Sequence, residues 1–117
     1  MHPDGAKLLW DALQAAHRAA RFVSGKTWAD YESDELLRPA VERQFEIMGE
    51  ALSRLSKVDP ATALQVDDLP RVVAFRNLLI HGYASVDHKI VWGVLQGSLP
   101  ALQTTLHDLL ARHRPGG

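Results

Sequence analysis

The chain has 117 residues, 46% hydrophobic and 23% charged, which places it with single globular domains that bury one modest core. It has no cysteine, no apolar run near the roughly 20 residues that span a bilayer, and no signal-peptide pattern, so disulfides and thiolate metal sites are excluded and a cytoplasmic protein is expected. Thirteen Lys and Arg against fourteen Asp and Glu leave a formal charge of −1, so any contact with a nucleic-acid backbone must be local and strongly salt-dependent.

Asp4 is placed to cap a first helix whose apolar positions Leu9, Leu13, Ala16, Ala20 and Val23 alternate between spacings of four and three; Ser24-Gly25 ends it. Lys7, Arg18, Arg21 and Lys26 decorate this helix, either as solubilising charges or as the flank of an RNA groove. Thr27 caps a short turn with Trp28 and Tyr31. A second long helix then carries Leu37, Val41, Phe45, Met48, Leu52 and Leu55 on one stripe. Pro39 predicts a kink or a true start there, because proline lacks the amide donor. Half of the acids fall between residues 30 and 50 (Asp30, Glu32, Asp34, Glu35, Glu42, Glu46 and Glu50), as a solvated face or a surface for a basic partner.

Asp59-Pro60 opens a connector that runs to Leu69-Pro70 and has room for one irregular turn. A core helix is predicted over 71–81. Asp87 then caps a last helix with Val91, Leu95, Leu99, Leu102, Leu106 and Leu109 in line, and Pro100 predicts a bend within it. Gly93 and Gly97 read as small residues that permit close helix packing, and residues 112–117 as a frayed tail. No strand-like alternation appears. The expected architecture is all-α, an up-and-down bundle of four to five helices in one domain spanning 1–117. Apolar surface left over on the 71–81 helix and the last helix would suit a second copy, making a dimer.

Candidate chemistry concentrates in Phe75-Arg76-Asn77-Leu78-Leu79-Ile80-His81-Gly82-Tyr83, where polar groups interrupt an apolar helix. Gly82 reads as the residue just past the helix end, supplying positive φ. Arg76 and His81 lie about 140° apart around the helix and about 7.5 Å along it. The structural reading makes His81 a helix-end residue, Arg76 the partner of Glu46 or Glu50, and Asn77 a backbone cap. The functional reading uses the same groups on a phosphodiester. Histidine suits proton transfer, and the fixed guanidinium fork suits charge on phosphorus. Asn77 would bind phosphate or orient Arg76.

Arg-x4-His-x-Tyr, as Arg76, His81 and Tyr83, resembles the signature of the HepT-like toxins of the HEPN superfamily. Residues 41–51, ending in Gly49-Glu50-Ala51, are similar to that family's second helix. Val86-Asp87, Ile90-Val91-Trp92 and Leu99-Pro100-Ala101-Leu102 fall where it has similar residues. The likeness runs from about Leu36 to Leu110. Arg71 departs from it, since an aromatic residue often follows that proline in the family.

The resemblance implies a homodimeric, metal-independent endoribonuclease. RNA would be cut to a 2′,3′-cyclic phosphate by Arg76 and His81. As auxiliary residues, Asn77 assists, and Glu50 is read from its place in Gly49-Glu50-Ala51 as a buried partner that sets the pose of Arg76, ahead of a direct catalytic role. One histidine does not easily serve as acid and base in the same step, and a twofold dimer would supply a second His81. The resemblance also implies a toxin–antitoxin pair in which a nucleotidyltransferase antitoxin adds AMP to Tyr83, bringing charge and bulk beside the site. The rival is a catalytically silent module that binds nucleotide or RNA and docks the transferase. Neither reading calls for a cofactor, a membrane or DNA. His2, His17, His88, His107 and His113 show no metal-ligand spacing, and no glycine-rich phosphate loop occurs.

Overall fold

The computed structural model describes residues 1–82 and 85–112, and the described residues fold into seven helices without a strand. They are α1 (Pro3–Phe22), α2 (Trp28–Ser33), α3 (Leu37–Val58), α4 (Pro60–Ala63), α5 (Leu69–His81), α6 (His88–Gln96) and α7 (Ser98–Arg112). The long helices form the expected bundle: α1 lies along α3 and α7, and α3 lies along α5. The count exceeds four to five because the connectors fold as single turns and the last predicted helix is two. Among the described residues no helix is long and apolar enough to cross a membrane.

The local signals explain most boundaries. The cap of α1 is His2, not Asp4: its ring accepts from the Asp4 amide at 3.0 Å, and Pro3 occupies the first turn, where a missing donor costs nothing. Gly25, at φ 75°, follows α1 and is the one left-handed residue among those described. Thr27 and Asp30 form a reciprocal capping box on α2. Asp34 accepts from the amides of Leu36 and Leu37, and Pro39 falls in the first turn of α3, so it marks a start and not a kink. Asp59 caps α4 through Thr62.

The α6–α7 stripe is buried along its whole length, from Val91 to Leu109, although the helix breaks within it. The break lies at Gly97; Pro100 sits in the first turn of α7, where it is tolerated. The close-packing role expected of Gly93 and Gly97 is not seen. A Cβ on Gly93 would meet nothing within 4 Å, and one on Gly97 would meet only the Gly93 carbonyl. Arg112 is still helical, and the rest of the tail lies outside the described residues.

The largest departure concerns α5. Its apolar residues run around the helix without a single stripe, and it packs chiefly against α3. Only Leu69 and Leu79 are buried, while Leu78 is 47% exposed and Ile80 40%. The motif helix is therefore a flank of the bundle and not its core. It docks through an edge-on contact of Phe75 with Phe45, ring centroids 5.2 Å apart, and through a backbone approach at Gly49.

Candidate active site on the flank of the bundle

Arg76 projects from α5 where that helix crosses Gly49 of α3. A Cβ on Gly49 would lie 2.2 Å from Arg76 Cβ and 3.3 Å from the Val72 carbonyl, so glycine is what lets the two helices touch here. The base of the arginine is thus pinned. Its head is held by two neighbours: Nη2 donates to Glu50 Oε2 at 2.5 Å and Nη1 to Asn77 Oδ1 at 2.9 Å. Nε is buried and meets no partner among the described residues. The Arg76 side chain is 25% exposed and that of Glu50 53%, so the pair faces solvent on one side. Glu50 is then a half-exposed partner rather than a buried one. Glu46, the other candidate, pairs instead with Arg43 at 3.4 Å.

His81 is the last residue of α5 and is exposed, with no side-chain hydrogen bond or ion pair among the described residues. Gly82 closes the helix by donating to the Leu78 carbonyl at 2.8 Å, but at φ −119°. The glycine matters here for space, not for left-handed backbone: a Cβ would sit 3.0 Å from that carbonyl. The structure brings together Arg76, Asn77 and Glu50. Within one chain, no hydrogen bond joins them to His81. Tyr83 lies outside the described residues.

The other histidines among the described residues lie away from Arg76, and His113 lies outside those residues. His17 meets Gln103 at 3.0 Å, and His107 stands 3.6 Å from Asp108. The Nδ1 of His88 is buried without a partner among the described residues. Among those residues no three potential metal-ligating side chains converge. Of the tryptophans, Trp28 and Trp92 pack around the fully buried Tyr31, whose phenol burial pushes well above its ordinary pKa, whereas Trp10 is 50% exposed. Arg71, the departure from the family pattern, lines an apolar groove with Phe45, Val72, Phe75, Val94 and Leu102.

Sequence reasoning missed the part played by Gly49. It noted the Gly-Glu-Ala run as a likeness, but a helical glycine says nothing about which side chain crosses it.

An all-helical domain with an arginine–carboxylate pair and, five residues further along the same helix, a terminal histidine is the class this fold and site define. Residues 12–109 match the family model described as ribonuclease HepT-like, and the chain belongs to that family. It is 28% identical over 100 residues to a protein of Methanocaldococcus jannaschii named "Putative RNase", an alignment covering 86% of this chain and 91% of that one. A protein of the same name from Caldanaerobacter subterraneus subsp. tengcongensis is also 28% identical, over 87% of this chain and 90% of its own. No solved structure matches the chain significantly.

Proposed function

We propose that this chain is a metal-independent endoribonuclease acting as the toxin of a toxin–antitoxin pair. The observation that carries the reading is the placement of Arg76. Its guanidinium is steered by Glu50 and Asn77 and partly open to solvent, five residues before an exposed histidine, in a member of the ribonuclease HepT-like family. In the reaction the 2′-oxygen of a ribose attacks the adjacent phosphorus and the 5′-oxygen leaves, giving a 2′,3′-cyclic phosphate. Arg76 binds the phosphoryl oxygens as negative charge develops. His81 moves protons, one copy accepting from the 2′-hydroxyl and the His81 of a twofold-related chain donating to the leaving oxygen. The large apolar side chains left exposed on the motif helix, Leu78 and Ile80, support such a pairing, since exposed apolar surface next to a polar site is what a second chain would cover. Asn77 keeps the guanidinium in register.

Tyr83 is the regulatory acceptor in this proposal. A partner nucleotidyltransferase acts as antitoxin: the phenol oxygen takes the adenylyl group of ATP, pyrophosphate leaves, and the added phosphate obstructs RNA beside Arg76 and His81. Co-expression with that transferase adds the mass of AMP to a peptide containing Tyr83; an unchanged mass in the co-purified pair rejects this step.

The second reading is a silent module that binds nucleotide or RNA and docks the transferase. It draws support from the short Arg76–Glu50 pair, in which a carboxylate already occupies the arginine that a phosphate would need. An assay of purified, unmodified protein on RNA in EDTA separates the two. Cleavage to cyclic phosphate ends, lost by about 100-fold or more in His81→Ala and in Arg76→Ala while both variants stay folded, is the expected result. Parental rates in those variants remove both residues from the mechanism, and no cleavage by the parent leaves the binding module.

A further inference from the structure

Beside the Arg76–Glu50 pair, an open groove runs between α1 and α3. We propose that it seats a short single-stranded stretch of RNA on its way to Arg76, with the Trp10 ring stacked on a base and Arg54 and Arg18 on phosphates. The proposal rests on the reading of the chain as an RNA-acting domain and adds the path its substrate takes.

Trp10 is 50% exposed on the groove wall, while Trp28 and Trp92 pack against Tyr31. Lys7 stands over the indole, 5.7 Å from its centroid, and adds positive charge. Each carboxylate on the walls is already matched: Asp11 by Lys7 at 2.6 Å, Glu46 by Arg43 at 3.4 Å, and Glu50 by Arg76 at 2.5 Å. That leaves two guanidinium groups in excess. Arg18 meets only Gln44 Oε1, at 3.5 Å, and Arg54 has no side-chain partner among the described residues. In a chain of net charge −1, the groove and its rim carry five cations against three carboxylates.

The groove points at the motif. Arg43, Glu46, Glu50 and Arg54 recur at spacings of three or four on one face of α3, and the stretch from Arg43 to Arg54 covers about 16 Å of helix. Glu50 belongs to both the groove and the arginine site. An exposed indole over an apolar floor of Leu8, Ile47 and Ala51, flanked by spare guanidinium groups, matches the stacking platform and cationic track that hold single strands. An acidic peptide would use the cations and leave the ring idle.

The full-length protein is tested by fluorescence anisotropy with a labelled 2′-O-methyl oligouridylate of about ten nucleotides, which cannot be cleaved. Trp10→Ala is expected to weaken binding at least about fivefold. Arg54→Ala is expected to lower the slope of log affinity against log salt by about 0.7, and Arg54→Lys to keep the parental slope, because lysine still neutralises a phosphate. Cleavage of a dinucleoside phosphate, which lacks the flanking strand that the groove would seat, stays at the parental rate in all three. Parental affinity and salt slope in Trp10→Ala and Arg54→Ala overturn the groove, as does an oligoglutamate that competes as well as the RNA or a parent that does not bind the oligonucleotide. If no form cleaves the dinucleotide yet oligonucleotide binding depends on Trp10, the groove stands and the nuclease reading falls.

Discussion

Gly49 and Arg76 meet so closely that a single methyl group on the glycine would occupy the space of the arginine's Cβ and Cγ, at 2.2 and 2.7 Å. The obstruction is the root of a side chain whose helix also presents the Val72 carbonyl at 3.3 Å, so the strain cannot be relieved by a rotamer change alone. Gly49→Ala must move α5 away from α3. Overpacking of this kind costs about 1–3 kcal/mol, read as a lowered midpoint in urea unfolding, and RNA cleavage should fall further than stability does because Arg76 moves with the helix. A variant with parental stability and activity would show that the two helices are not held in this register.

Glu50 should behave as a positioning residue. It is half-exposed, so Glu50→Ala is expected to change stability by less than about 1 kcal/mol. Freed from its carboxylate, Arg76 would meet the RNA phosphate without competition but in a poorly defined pose. The expected kinetic pattern is a lower kcat with a lower KM, and Glu50→Gln should restore part of kcat by keeping a hydrogen-bond acceptor. A carboxylate with a purely structural role would leave both constants unchanged.

The exposed apolar residues of α5 can be tested without touching Arg76 or His81. Leu78→Asp combined with Ile80→Asp should leave the helical circular dichroism of the chain intact, since neither side chain is buried. Light scattering coupled to gel filtration should then find one chain where the parent shows two, with cleavage lost in parallel. A parent already monomeric and active would remove the twofold from the mechanism.

Glu42, on α3, supplies a pH signature. Burial raises its carboxyl above the ordinary value, against the lowering effect of His88 and Arg38, and Glu46 adds to the rise. A carboxyl whose folded-state pKa is raised favours the folded chain only while protonated. Its ionisation therefore costs stability, increasingly as pH climbs from the ordinary carboxyl value of 4.5 through the raised one. Glu42→Gln should raise the melting temperature near pH 7, and the gain should fade as the pH falls to about 4.5. A constant gain across that range would point to packing and not to charge.

The stripes on α1, α3 and α6–α7 were legible because apolar residues at spacings of three and four allow one buried face, and the caps at Thr27 and Asp87 were legible because a short polar side chain satisfies free amides at a helix start. The α5 segment misled because a run that is apolar all around looks the same whether a helix is enclosed or lies on a flank with one face unpartnered. Composition and spacing by themselves determined an all-helical single bundle and singled out Arg76, Asn77 and His81, since those properties depend only on neighbours along the chain. Tertiary structure alone decided that Glu50, not Glu46, holds Arg76, and that Gly49 admits it. Which carboxylate an arginine reaches is set by how two helices cross, and that crossing is a matter of packing between residues 26 apart in sequence.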